Sequence, residues 1–350
     1  MSGDDAGPPW RRRGSGVPGA PVERNPGAAA RIPADDRAEG LRLRAQALIW
    51  MVAWEVARRL PERVVFRAAD LGGRVGHRCA RAARARVRRN LGRVVDSAVL
   101  DTAVRDAFRS YARYWAESFR AADLEPADVM ARTDVVGFGH LDATLDQGRG
   151  VIVLLAHHGS WDVAAAWAEA QGYHLAVVAE VLRPRALFAR FVALREAIGL
   201  EVVPLRRGED LVGRLRSVLE ANHLVGLLSD RDLTAAGPVV ELFGHPARIP
   251  PGPVVLSKRT GAPIVPITMT QEPGRRWTVT CLPPLDVSSG TIVEGCAAVA
   301  AAIETLIRVD PAQWHAFSPV WLEDLPQHRR GGWTPDAVAS PRSLPGGRPA

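Results

Sequence analysis

In a chain of 350 residues, the run Ala156-His157-His158-Gly159-Ser160-Trp161-Asp162 holds the side chains best suited to chemistry. An ionised carboxylate that accepts one imidazole N–H leaves the other ring nitrogen free to take a proton from a hydroxyl, and it stabilises the imidazolium that results. Such a pair suits attack of an alcohol on a thioester carbonyl. Asp162 lies five residues after His157 and four after His158. Adjacent side chains of an extended segment point in different directions, so at most one of the two histidines is expected to be catalytic. The bland alternative has either histidine merely capping a loop. A metal site built on His157, His158 and Asp162 would need a further histidine or carboxylate cluster at ligand spacing, and none follows, so no metal is expected.

The elements around this run decide whether it forms a site. Val151 to Ala156 is a short, continuously apolar run behind Gly150, as a buried parallel strand should be. His157 then stands at the carboxyl edge of that strand. Ser160 is placed to N-cap the following helix, which Gly172 ends, and Asp162 falls in its first turn, where the helix dipole favours an ionised carboxylate by a few tenths to ~1 kcal/mol. Further alternation follows: strands at 174–182, 201–205 and 223–230, helices at 185–199 and 210–221, then a helix ending near Ser257, strands at 262–270 and 277–285, and a last helix near 292–308. Strands alternating with helices of 10–15 residues predict an α/β fold, a mostly parallel central sheet flanked by helices. Sites in such sheets lie beyond the carboxyl ends of the strands.

Ahead of the sheet the chain reads as helical. Leu41 to Leu60 is a helix stopped by Pro61, with Trp50 and Trp54 one turn apart and arginines nearby. That suits either an interfacial membrane helix or a core helix. Residues 62–93 are studded with arginine, and 100–123 form another amphipathic helix. The arginine faces are either solvated or attracted to anionic headgroups, worth ~1 kcal/mol per residue. No segment reaches the ~20 apolar residues of a spanning helix, the longest run being 45–57 with Gln46 and Glu55 inside it. The expected organisation is a disordered arm over 1–38, a single domain over 39–325 (helical 39–125, α/β 126–325) and a disordered tail over 326–350.

The formal net charge of +7 suits an anionic membrane surface, nucleic acid or the phosphates of an acyl carrier, although arginine dominance over lysine is also what a GC-rich genome produces. Three widely spaced cysteines, Cys79, Cys281 and Cys296, argue against a disulfide framework or zinc site. Nucleic-acid binding is disfavoured because aromatic-basic interleaving, zinc spacing and a helix-turn-helix are all missing.

Four ordered segments carry a family resemblance. HHGSWD at 157–162, the stretch from Val178 to Leu205 (VAEVLRPRALFARFVALREAIGLEVVPL), the DRDL segment at 230–233, and ELFG followed by ARIPPGP up to Pro253 resemble the bacterial lysophospholipid acyltransferase superfamily. They are most similar to its lipid A acyltransferase branch, which includes the actinobacterial phosphatidylinositol mannoside acyltransferases. The resemblance implies His157 as general base and Asp162 as its orienting partner. It implies that Glu180 and Arg195 lie in the active site and that Asp230, at a position where the mannoside branch often has glutamate, touches the acceptor. Read alone, Glu180 is a strand-end surface carboxylate and Arg195 an exposed helix residue. Asp232 is equally suited to a structural ion-pair network.

The expected reaction moves a long-chain acyl group from acyl-CoA to a sugar hydroxyl of a phosphatidylinositol mannoside. Acyl-CoA is the expected co-substrate, with no further cofactor, and the residues leave an acyl-carrier protein open as the donor. The expected place is the cytoplasmic face of the cell membrane, peripherally bound. A lipid A type or other glycolipid acyltransferase is the alternative, and an inert lipid-binding relative a further one. Arg183, Arg185, Arg206, Arg207 and Arg248 are candidates for the donor's phosphates, and helix 161–170 for lining an acyl groove.

Overall fold

The computed structural model describes residues 41–180, 185–205, 210–232, 234–327 and 330. The arm expected over 1–38 and nearly all of the tail expected over 326–350 lie outside those residues, as do Arg183, Arg206 and Arg207.

Short β-branched runs bounded by glycine or polar turns become strands: β1 (Thr133–Val136), β2 (Val151–Leu155), β3 (Leu175–Glu180), β4 (Glu201–Leu205), β5 (Leu224–Leu228), β6 (Val239–Leu242), β7 (His245–Arg248), β8 (Ile264–Glu272) and β9 (Arg276–Cys281). Seven form one sheet in the order β1-β9-β8-β2-β5-β3-β4, and β6-β7 make a separate antiparallel hairpin. Five neighbours, β8-β2-β5-β3-β4, run parallel. The tight Pro273–Arg275 turn then reverses the chain, so β9 pairs antiparallel with β8 and β1 pairs parallel with β9. The mostly parallel sheet flanked by helices is therefore as the sequence implied. The β1 strand and the β6-β7 hairpin go beyond that reading, being only four residues each and lacking a clear apolar period.

Strand β2 shows why an all-apolar run was needed. Its odd residues, Val151 and Val153, join a cluster with Leu141, Val163 and Trp167, while Ile152 and Leu154 join another with Leu215, Val254 and Ile303. Both faces of the sheet are thus covered, and a period of two divides one strand between two cores. The first core holds α5 (Pro126–Ala131), α6 (Gly139–Leu145) and α7 (Trp161–Ala170); the second holds α9 (Leu211–Glu220), α10 (Gly252–Thr260) and α11 (Ile292–Val309).

The helices α1 (Leu41–Arg59), α2 (Glu62–Cys79), α3 (Arg81–Leu91) and α4 (Ser97–Arg120) precede the sheet, and α8 (Arg185–Ala197) packs beside them. Trp54 is buried and lies 5.1 Å from Phe119 and 5.2 Å from Phe191, while Trp50 meets Trp115 at 4.9 Å. Of the two readings of this tryptophan pair, the core one describes the structure: the indoles join α1 to α4 and α8. The outward apolar residues are different ones, Leu48, Ile49, Val52 and Val56 on α1 and Val64, Leu71 and Val75 on α2.

Several of the arginines over 74–93 are neither simply solvated nor free for headgroups. Arg86 donates to the Phe317 carbonyl at 3.0 Å, Arg93 pairs with Asp324 at 2.6 Å and with Glu323, and Arg84 donates to the His77 carbonyl at 3.0 Å. Arg86 in α3 and Arg93 just after it thus tie down the C-terminal segment. Among the described residues, no helix is long and apolar enough to cross a membrane. The three cysteines are free, Cys79 exposed and the other two buried. Burial pushes the Cys281 thiol up to about 12 and that of Cys296 up to about 11.

Candidate active site

Adjacent parallel strands β2 and β5 end side by side, and each delivers one half of an ionisable pair. His157 follows β2, Asp230 follows β5, and the Ser229 backbone N–H bonded to the Leu155 carbonyl at 2.9 Å keeps the two ends in register. His157 Nδ1 lies 2.6 Å from Asp230 Oδ1, and the Trp314 indole N–H donates to Asp230 Oδ2 at 2.9 Å. The Arg231 Nη2 lies 3.1 Å from His157 Nε2. A carboxylate can only accept and a guanidinium can only donate, so both neighbours select one tautomer: hydrogen on Nδ1, lone pair on Nε2. Asp230 is buried, which alone would raise its pKa. The charge and hydrogen bond at His157, then Arg231 and the Trp314 indole, outweigh burial and hold the carboxyl well below its ordinary value of 3.8.

The H-x4-D spacing suggested Asp162 as the partner of His157, and the hydrogen bonds are otherwise. Asp162 Oδ2 accepts from the Ser118 hydroxyl at 2.8 Å and the Tyr114 hydroxyl at 3.0 Å, and its Oδ1 accepts from Arg195 Nε at 3.0 Å. The physical reason is the turn between histidine and helix. Gly159 adopts φ +62°, and any Cβ there would collide with the Met269 carbonyl. The chain folds onto β8 and starts α7 against α4, so Asp162 faces α4 and α8. Ser160 occupies the N-cap position, but its hydroxyl donates to Glu117 instead of capping. Burial opposes the charge of Arg195, yet the Asp162 carboxylate wins and raises the arginine pKa above its usual value.

The two histidines divide as an extended segment requires. His158 is buried, with Nδ1 2.8 Å from the Thr268 hydroxyl and Nε2 2.8 Å from the Asp310 carbonyl. A carbonyl can only accept, so Nε2 carries the hydrogen and Nδ1 accepts from Thr268. Burial lowers the His158 pKa, and the ring serves as a neutral strut. Glu180 ends β3, one strand beyond β5, and its side chain lies outside the described residues. Asp232 accepts from the Thr234 and Gly237 N–H groups at 2.8 and 2.7 Å, organising the turn after β5. Arg248 donates to the carbonyls of Gly237 and Arg330. Among the described residues, no group of three or more His, Cys, Asp or Glu side chains is arranged to hold a metal ion.

The sequence profile of the bacterial lipid A biosynthesis acyltransferases matches residues 37–323. This chain belongs to that family. Among curated relatives, a phosphatidylinositol mannoside acyltransferase of Mycobacterium tuberculosis is 37% identical over 310 residues, which is 86% of this chain and 96% of the relative. One from Mycolicibacterium smegmatis is 36% identical over 285 residues, covering 80% of this chain and 93% of that protein. The chain is thus an acyltransferase, and the family implies an acyl donor and a glycolipid acceptor.

Two further residues of this acyltransferase site escaped the sequence reading. Glu117 is buried in α4 and accepts from Arg113 at 2.7 Å, Trp277 at 3.0 Å, Gln271 at 3.1 Å and the Ser160 hydroxyl. It fixes the residue that starts α7. Its signal was present: Ala107, Ser110, Tyr114, Glu117 and Ala121 share a face at helical spacing, and a carboxylate on a buried face needs partners. His315 is buried beside His157, its backbone N–H on the His157 carbonyl at 2.7 Å, while neither ring nitrogen has a hydrogen-bond partner among the described residues. Tyr114 and Tyr111 surround it at 5.0 and 5.2 Å, with Trp161 at 5.3 Å. Burial lowers its pKa well below 6.5. Nothing in the local sequence marked it.

Proposed function

We propose that this chain transfers a long-chain fatty acyl group from acyl-CoA to a sugar hydroxyl of a phosphatidylinositol mannoside, with His157 as general base and Asp230 as the carboxylate that orients it. The observation that carries the mechanism is the 2.6 Å contact between His157 Nδ1 and Asp230 at the ends of adjacent parallel strands. With Nδ1 committed to the carboxylate, Nε2 takes the proton of the acceptor hydroxyl as its oxygen bonds to the thioester carbonyl carbon. Asp230 stabilises the imidazolium. When the intermediate collapses, the C–S bond breaks and the imidazolium protonates the departing thiolate. The choice of acceptor is supported by the names of the mycobacterial relatives, which match over most of both chains. Asp162 and Arg195 are assigned a bracing part, holding α7 and α8 against α4 beneath this centre.

Peripheral attachment to an anionic membrane face belongs to the same reading. It is supported by the outward apolar residues Ile49 and Val52 on α1 and Leu71 and Val75 on α2. Exposed arginines on α2, such as Arg63 and Arg67, add a charge attraction that salt screens.

The test is thiol release from palmitoyl-CoA by the purified full chain, with and without mannosyl phosphoinositides, beside His157→Ala. Acceptor-dependent release lost in the variant establishes reaction, acceptor and base together. Release that ignores the acceptor but needs His157 means a different glycolipid. Release that survives in folded His157→Ala removes the base assignment.

A further inference from the structure

Arg231 sits beside the general base without the surroundings of a structural arginine. Its Nη2 N–H meets the His157 lone pair at 3.1 Å, and its Nε is buried with no hydrogen-bond partner among the described residues. Arg93, by contrast, has two carboxylates, and Arg195 has Asp162. Arg132, Arg190 and Arg214 also bury an unmatched guanidinium nitrogen, but each of them pairs with a carboxylate, whereas Arg231 forms no ion pair within 4 Å among the described residues. The position of Nη2 is equally telling. A hydroxyl that gives its proton to Nε2 must come within about 2.6–3.2 Å of it, the distance the guanidinium itself holds. Arg231 therefore has to move aside for the reaction. Its backbone neighbour Asp230 is fixed by His157 and Trp314, so the shift is a swing of the side chain alone. A short swing leaves the fork next to the atoms that react.

We propose that Arg231 is a catalytic residue of this site, whose guanidinium leaves the His157 lone pair when the acceptor arrives and binds the carbonyl oxygen of the thioester. This assignment rests on the acyl-transfer reading above. As the acceptor oxygen bonds to the acyl carbon, its proton passes to Nε2 and the carbonyl electron pair moves onto oxygen. Arg231 carries that oxyanion. The pair then returns, the C–S bond breaks, and the thiolate takes the proton from the imidazolium. One side chain thus blocks the base before substrate binds and stabilises charge once it reacts.

Arg231→Gln, Arg231→Lys and Arg231→Ala in the full chain test this with palmitoyl-CoA. A lost oxyanion donor lowers kcat by about 10²–10³-fold in Arg231→Gln, with KM for palmitoyl-CoA little changed. Acceptor-independent thiol release falls by a similar factor, because water attack passes through the same oxyanion. Lysine in its place restores part of the rate, and added guanidinium at millimolar concentration rescues Arg231→Ala but not Arg231→Lys. Arg231→Gln at near wild-type kcat overturns the assignment. So does a variant that raises the acceptor KM and leaves acceptor-independent release intact, since that marks an acceptor contact. If Arg231→Gln does not fold, Arg231→Lys and the rescue of Arg231→Ala decide. No thiol release from wild type overturns the acyl-CoA reading on which this assignment rests; release from wild type that survives in the variants overturns this assignment alone.

Discussion

Asp162 collects three donors from α4 and α8, whereas Asp230 collects an imidazole and an indole at the end of a strand. Both carboxylates are buried. The difference lies in what each neighbour can do with a proton. Tyr114, Ser118 and Arg195 only donate to Asp162, and the guanidinium keeps its charge at any working pH, so that centre is static. His157 can take up and release a proton, so the centre around Asp230 has two charge states. A buried ion pair braces; a buried carboxylate on an imidazole tunes. The H-x4-D spacing points at the first of these, and the contact with His157 is made by the second.

Exchanging the two roles by mutation gives the largest effects. Asp230→Asn removes the acceptor that sets the tautomer, and turnover falls by about 10³–10⁴-fold. The variant also loses the stability that the ionised carboxyl adds above its ordinary 3.8, so turnover is compared per folded molecule. Asp162→Asn reverses the profile. It leaves a guanidinium that cannot discharge, destabilising the fold by about 3 kcal/mol in denaturant titrations, with a smaller loss of turnover per folded molecule. Equal loss of turnover in both variants breaks the distinction.

Acid titration sharpens it further. His158 and His315 are held neutral by burial, with pKa values below the ordinary 6.5. Unfolding lets both bind protons, so the stability they contribute is full above pH 6.5 and is lost as pH falls below it, each by at most ~1.4 kcal/mol per pH unit. His158→Gln removes one proton from that slope, which unfolding measured between pH 7 and 5 will read. The depressed Asp230 carboxyl acts lower down, adding stability above its ordinary 3.8 that is lost on further acidification and is missing from Asp230→Asn. Ile49→Ser with Val52→Ser touches neither centre. It weakens binding to anionic vesicles about tenfold and leaves turnover on detergent-dispersed substrate unchanged. Undiminished vesicle binding places the contact elsewhere.

The sheet was legible because its signal is local: an apolar run the length of β2 buried on both faces cannot be much else. His157 was legible for a related reason, since a strand end fixes where the next residue stands. Its partner was not. Asp230 lies 73 residues away and meets His157 only because β5 pairs with β2, a pairing no spacing along the chain encodes. His315 depends on a later crossing of the chain over the same strand end, and Trp50 and Trp54 suited a membrane interface and a core equally until α4 and α8 supplied partners. Glu117 was within reach of helical periodicity, because its burial follows from the residues one turn either side.

The distribution of the thiols has a practical consequence. Cys79 closes α2, one turn beyond outward-facing Val75, and is exposed, while burial suppresses ionisation of both Cys281 and Cys296. Maleimide chemistry near neutral pH therefore has one accessible target in the folded chain. A single polarity-sensitive dye or spin label placed there, with no cysteine engineered in or out, becomes a depth gauge on the helix with which the enzyme would meet a bilayer.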